Sequence, residues 1–322
     1  MWMRGIFLRY QQSASGNERD ATSGRTGLSA FTDGGSTDDI IVGNNITKRF
    51  GNKTAVDNID LCVHRGEIFG FLGPNGAGKT TTIRILTTLA NLDSGTVVIN
   101  GHDIVRDTIG AKASMGVIQQ HISLDKDLTV IENMQQHAMY HKLPRPERKK
   151  RIDELVEYIG LHEYVDYKVD ALSGGWKKRA AIVCALLHSP QILFLDEPTV
   201  GLDIKARRLI WDIIRKLNKS GTTIFLTTHY IEEAEALCDR VAFIDQGKII
   251  AMGTPEELCK KVGATTVEYF DGDKKTKYVY FSSRGEANDF VNTLGANDTV
   301  TIRNTNLEDC FVELTGKSVG GN

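Results

Sequence analysis

Gly73-Pro-Asn-Gly-Ala-Gly78-Lys79-Thr80 is the stretch on which the reading of this chain turns. It fits Gly-x-x-x-x-Gly-Lys-Ser/Thr, whose four fixed positions arise by chance in about one chain in a hundred of this length at average composition. An apolar run, Ile68 to Leu72, leads into it, and a helical pattern follows from Lys79 to Leu89. Strand, glycine-rich loop and helix is the order a phosphate cradle requires. Glycines let successive backbone N–H groups point inward at phosphate oxygens. The helix N-terminus adds partial positive charge. Lys79 then reaches the β- and γ-phosphates, and Thr80 can hold Mg2+.

Two further stretches fit the same chemistry. Ile192-Leu-Phe-Leu195-Asp196-Glu197 is an apolar strand ending in two carboxylates. At the strand tip Asp196 can hold Mg2+ through water, and Glu197, one residue on, can polarise an attacking water. Leu172-Ser173-Gly174-Gly175 precedes a helical pattern. There Ser173 reads as an N-cap and the glycines leave backbone N–H groups open, which makes an anion site.

Around these motifs strands and helices alternate. Strands are expected at Ile59–Val63, Glu67–Leu72, Thr96–Ile99, Ser114–Ile118, Ile192–Leu195, Thr223–Thr227 and Val241–Asp245, with helices at Ile204–Asn218 and Ile231–Cys238. That texture predicts a parallel sheet covered on both faces. It is interrupted by three consecutive helices: one opened by the capping-box pair Thr129 and Glu132, one over Pro146–Ile159 and one over Ser173–Leu187. These predict an inserted helical subdomain at about residues 120–190. A closing helix is expected over Pro255–Val262, then a small α+β appendage of strand, strand, helix, strand and helix ending at Leu307–Leu314. On that last helix Leu307, Cys310, Phe311 and Leu314 share one stripe, which predicts a surface for a partner chain. Residues 11–39 are rich in Ser, Thr, Gly and Asp, and read either as a disordered leader or as the product of an upstream start codon. There is no internal repeat.

Composition excludes several classes. Of 322 residues, 41% are hydrophobic and 25% charged, with a net charge of −2, a globular mix without the basic excess of a nucleic-acid-coating protein. No stretch reaches the roughly 18–20 apolar residues of a membrane helix. The N-terminus lacks the apolar core of a signal peptide. The five cysteines form no Cys-x-x-Cys pair and read as thiols of a reducing compartment. His137 and His141 on one helix, and the basic run of Arg145 with Arg148–Arg151, read as ordinary helix faces, with contact to anionic lipid headgroups as the alternative for the basic run.

The order Gly73–Thr80, Gln120, Leu172–Gly175, Asp196–Glu197, Asp203, His229 resembles the nucleotide-binding subunits of ABC transporters, over roughly residues 40–254. The resemblance implies a P-loop NTPase of the α/β class: a mixed-sheet cassette with an inserted helical subdomain, followed by the appendage at 255–322. It implies an ATPase using ATP and Mg2+. Gly73, Pro74, Asn75, Gly76, Ala77, Gly78, Lys79, Thr80 and Thr81 would bind nucleotide. Phe50 matches the aromatic that stacks on adenine. Gln120, favoured over Gln119 by its spacing from Met115–Ile118, matches the glutamine that meets Mg2+ and water. Mg2+ ligands would be Thr80, Gln120 and Asp196, and catalysis would rest on Glu197, Gln120 and His229. Ser173, Gly174 and Gly175 match the signature motif that meets the partner's γ-phosphate in a head-to-tail homodimer, and Asp203 the loop linking the two sites. Trp176 departs from the pattern, standing where the signature often has Gln.

The ending Asn306-Leu-Glu-Asp-Cys-Phe311-Val-Glu-Leu-Thr315-Gly316 and the segment Ser123–Val130 resemble the drug-resistance branch, the daunorubicin-type exporters. That branch implies a separate ABC-2 type membrane permease, location on the cytoplasmic face of the membrane, and a drug, lipid or similar cargo. Two other readings compete: a soluble ABC ATPase acting on ribosomes or DNA, and an importer subunit. Ribosomal members carry two cassettes, and this chain has one. DNA-repair members insert long coiled coils, whereas Thr80 and Ser173 lie only 93 positions apart. The tail resemblance argues against the importer.

Overall fold

The computed structural model describes residues 38–271, 275–294 and 299–316. The expected leader lies outside them except for Asp38 and Asp39. In chain order the strands and helices are β1 (Asp39–Phe50), β2 (Lys53–His64), β3 (Ile68–Leu72), α1 (Lys79–Leu86), β4 (Ser94–Ile99), β5 (His102–Asp103), α2 (Thr108–Ala113) and β6 (Met115–Ile118). Then come α3 (Val130–Tyr140), α4 (Arg145–Ile159), α5 (Gly174–Leu186), β7 (Ile192–Asp196), α6 (Ile204–Lys219), β8 (Thr223–Thr228) and α7 (Ile231–Leu237). The chain continues with β9 (Arg240–Asp245), β10 (Lys248–Gly253), α8 (Pro255–Val262), β11 (Thr265–Asp271), β12 (Lys275–Phe281), α9 (Arg284–Val291), β13 (Val300–Asn304) and α10 (Leu307–Thr315). These elements divide into two compact units, residues up to Ile68 with Thr80–Thr227, and Phe69–Lys79 with the residues from Thr228 on.

The first unit holds an antiparallel sheet in the order β2-β1-β4-β5 and the parallel run β6-β7-β8. Every residue of β7 and β8 is buried, as strands covered on both faces require. β1 was not legible as a strand. Its register against β2 slips at several points and Asn45 takes a positive φ, so the apolar alternation is broken. The three consecutive helices are present. Thr129 and Glu132 form the expected capping box on α3. Asn133, buried on α3, accepts from the Asp125 N–H and donates to the Asp125 and Thr129 carbonyls, tying the preceding loop to the helix. α4 starts after Pro144 and ends at Gly160 in the left-handed conformation. The basic run on α4 is not wholly a solvated face. Arg151 is fully buried, with Nη2 donating to the Leu186 carbonyl of α5 at 3.1 Å and Nη1 at 3.8 Å from Glu154.

In the second unit β3 pairs in parallel with β9, Phe69 to Arg240 through Leu72 to Phe243, and β9 turns into antiparallel β10. Gln246 and Gly247, both at positive φ, make that two-residue turn. The sheet β12-β11-β13 is antiparallel throughout. Capping boxes open α8 at Thr254 and α10 at Asn306. The α10 stripe does not wait for a partner chain. Leu307, Cys310 and Phe311 are buried within this unit, and the Phe311 ring meets Phe243 edge-on at 5.5 Å. Leu314 alone of the four is exposed.

Candidate functional site

The glycine-rich loop runs from the end of β3 into α1. Gly76 (φ 80°) and Gly78 (φ 114°) lie in the left-handed region that a side chain resists, and this turns the loop's backbone. Lys79 is buried. Its ammonium bends back over the loop, donating to the carbonyls of Gly73 at 2.8 Å and Pro74 at 3.1 Å. A lysine cation beside a glycine-rich loop that leads into a helix N-terminus is a ready anion site. Asn75 and Gly76 at the loop's tip are exposed.

In the first unit the carboxylates at the tip of β7 are held from several sides. Asp196 is buried, and its Oδ1 accepts from the Thr227 hydroxyl at 2.6 Å and lies 3.5 Å from the Thr80 hydroxyl. Oxygen donors of this type suit Mg2+, which takes hard oxygen ligands. Glu197 is also buried, yet has φ 46°, a conformation unusual for a residue with a side chain. Its N–H donates to the Thr227 carbonyl and hydroxyl, each at 3.1 Å, which pins that backbone. The Gln120 amide donates to Glu197 Oε2 at 3.3 Å. Thr227, unmarked in the sequence reading, thus organises both acids. Gln119 is placed differently, its carbonyl accepting from Lys178 Nζ at 3.4 Å. A cavity of about 350 Å³ opens beside this cluster, with Thr80, Gln120 and Asp196 on its wall.

A third group gathers at the start of α5. Ser173 occupies the N-cap position, but its hydroxyl makes no capping bond. Capping there is not what the serine does, and the exposed hydroxyl stays available. A methyl group at Gly174 would press on Leu202 at 3.2 Å and one at Gly175 on Ala206 at 3.1 Å, so the end of the loop before α6 and the first turn of α6 lie close to the glycines. Asp203 caps α6, accepting from the Ala206 N–H at 2.8 Å. Trp176 stacks on Tyr164 at 3.9 Å, with the Arg179 guanidinium over its ring at 4.3 Å. The departure at Trp176 is therefore filled by an aromatic stack. Ser173, Gly175 and Asp203 line one pocket of about 210 Å³ with Trp176 and Arg179.

Phe50 is 56% exposed, with Lys48 Nζ 5.4 Å from its ring centroid, so it is no core aromatic. Thr81 is half-buried in the first turn of α1. His229 is half-buried after β8, its ring 4.2 Å from that of Tyr230. His137 and His141 turn out to line a cavity of about 330 Å³ together with Cys184 and His188. His141 lies flat on His188 at 3.8 Å, and burial pushes the His188 imidazole down to about 4. No motif marked that cluster, because His188 comes from beyond the end of α5.

A phosphate loop with a buried lysine and a buried carboxylate pair at a strand tip define this as a phosphate-loop ATPase. The ABC transporter family profile matches residues 56–200. A linearmycin resistance ATP-binding protein of Bacillus subtilis is 44% identical over 69% of this chain and 72% of its own length. A Nod factor export ATP-binding protein of Ralstonia nicotianae is 40% identical over 85% of this chain and 93% of its own. Among solved structures, cbiO1 of Clostridium perfringens, part of an ABC transporter complex, superposes with a TM-score of 0.63 at 28% identity, covering 70% of this chain and 94% of that one. The chain belongs to the ABC transporter family, as an ATP-binding subunit of the resistance and export branch.

Proposed function

We propose that this ATPase drives a separate ABC-2 type permease in the membrane, acting from the cytoplasmic face as a head-to-tail homodimer on a drug-like or lipid-like cargo. The names of its relatives, for linearmycin resistance and Nod factor export, support an export reading. Among the described residues no helix is long and apolar enough to cross a membrane. In this reading residues 40–254 are the cassette, with the helical subdomain at about 120–190, and 255–322 are an accessory domain.

Phosphoryl transfer asks a protein mainly for positioning and charge stabilisation. Glu197 orients or deprotonates the attacking water, and its strained backbone, pinned by Thr227, is the observation that carries this assignment. Strain of that type is kept where the surrounding structure fixes one geometry. Gln120, donating to Glu197, senses the same water. Residues Gly73 to Thr81 cradle the triphosphate, and Lys79 leaves its own loop carbonyls for the β- and γ-phosphates. Thr80, Asp196 and Gln120 would hold Mg2+, which offsets phosphate charge when bound. Phe50, exposed, stacks on adenine. His229 meets the γ-phosphate. Ser173, Gly174 and Gly175 present the open end of α5 to the partner's nucleotide, and Asp203 links the two sites.

Glu197→Gln keeps the shape and removes the base. It is expected to retain ATP binding and lower turnover about 100-fold or more; turnover near wild type would overturn the assignment. The permease is tested by recovering the chain from native membranes in mild detergent. A polytopic protein in near-equal amount is expected. Ribosomal or DNA-bound partners from the soluble fraction would overturn the transporter reading.

A further inference from the structure

Five cysteines scattered along the sequence give no pattern, but the fold brings two of them together. Cys259 is on α8 and Cys310 is on α10, and their sulfurs lie 3.5 Å apart. Cys310 is fully buried, its Sγ also 3.1 Å from the Asn306 carbonyl. Cys259 is half-buried and reachable from solvent. Both helices are anchored at their starts by capping boxes, and the Leu307 N–H donates to Glu235 at 2.7 Å, so the two sulfurs are held at this separation by fixed helix ends. A disulfide needs about 2.05 Å. The remaining approach is about 1.5 Å, and it is made by rotating the two side chains toward each other.

We propose that Cys259 and Cys310 are a reversible modification site, closing to an intrachain disulfide by exchange with a small-molecule disulfide of the glutathione type. The two thiols have different parts. The Cys310 thiol, donating toward Cys259, holds the Cys259 thiol below its ordinary range, while the same contact and burial push Cys310 up. Cys259 is thus the attacking sulfur and Cys310 the resolving one. The Cys259 thiolate attacks one sulfur of glutathione disulfide, and the first glutathione leaves as thiolate and takes up the proton Cys259 released. Cys310 then loses its proton and attacks Cys259 Sγ, and the second glutathione leaves and takes up that proton. Two protein thiols become one disulfide, and one glutathione disulfide becomes two glutathiones. The bond would fasten α10 to α8 and close a loop around the sheet β12-β11-β13. Cys184 is no competitor, since burial pushes its thiol up to about 12.

The test is to expose the full chain to glutathione disulfide, block remaining thiols by alkylation and map the peptides by mass spectrometry. The expected product is a Cys259–Cys310 cross-linked peptide, lost on reduction with dithiothreitol. Cys310→Ser should stop at glutathione bound to Cys259, and Cys259→Ser should leave Cys310 unmodified. Circular dichroism confirms that each variant folds. Stable glutathione on Cys259 of the wild-type chain would overturn the proposal. So would Cys259 remaining alkylatable, or a cross-link to a different cysteine.

Discussion

His188 shows how much one side chain depends on where the chain folds back. It follows α5, two residues before a proline, and nothing in the local sequence separates it from a surface histidine. In the structure its Nε2–H donates to the Met115 carbonyl at 2.9 Å, while the buried Nδ1 finds no partner. Burial is the main cause of its lowered value, with His141, His137 and Arg151 adding positive charge nearby. A histidine whose folded value falls from 6.5 to about 4 takes up its proton more readily when unfolded. Stability is therefore complete above pH 6.5 and is lost as pH falls from there toward 4. The cost reaches about 2 kcal/mol at pH 5. Urea unfolding at pH 7 and pH 5 should show that difference for wild type and a smaller one for His188→Met. Equal pH dependence in the two proteins would remove His188 as the cause. The motif residues were different in kind. Lys79, Asp196 and Glu197 were legible because phosphate chemistry fixes residue type and spacing along the chain. Thr227 was not, because its part is played across the sheet, toward residues on another strand.

At the level of the element, legibility followed the local signal. Helices with caps were found close to their true ends: α3 by its Thr129 and Glu132 pair, and α8 at Pro255–Val262. β1, with its slipped register, and β10, a half-buried strand after a turn, carry no clean alternation and went unseen. Charge misled where burial overrode it. Arg151 belongs to a basic run that should face water, yet it lies between α4 and α5 with its guanidinium on the Leu186 carbonyl. That carbonyl is near the end of α5, where helix carbonyls lack intrahelical donors, so the arginine supplies what the helix cannot. Removing one partner from a buried charged contact costs about 3 kcal/mol or more. Arg151→Ala should therefore lower the melting temperature by several degrees, while ATP binding per folded molecule stays near wild type. A melting temperature unchanged within a degree would show that the buried contact contributes nothing. The α10 stripe makes the converse point. Its helical periodicity was real, but a stripe says only that something covers it, and here Phe243 of the same unit does.

At the scale of the whole molecule, packing does not respect chain order. The loop at residues 73–79 goes with the second compact unit because β3 pairs with β9, Phe69 against Arg240. The acids Asp196 and Glu197 go with the first. No reading along the sequence could draw that line, since it depends on which strands lie side by side. What the family resemblance adds is the second chain. Ser173 at the start of α5 is exposed, its hydroxyl makes no capping bond, and Gly174 beside it is exposed as well. A helix N-terminus left open in this way binds an anion well only when one is delivered to it. In the proposed homodimer that anion is the partner's γ-phosphate. Glu197→Gln, which holds ATP without consuming it, is therefore expected to double in mass by light scattering when MgATP is added. Adding Ser173→Arg places a long side chain over the open helix end. The double variant should still bind one ATP per chain and remain at monomer mass. A dimer that persists in the double variant would mean that Ser173 is not at the interface. A Glu197→Gln chain that stays monomeric with ATP bound would remove the homodimer from the mechanism, and leave a different cassette as the partner.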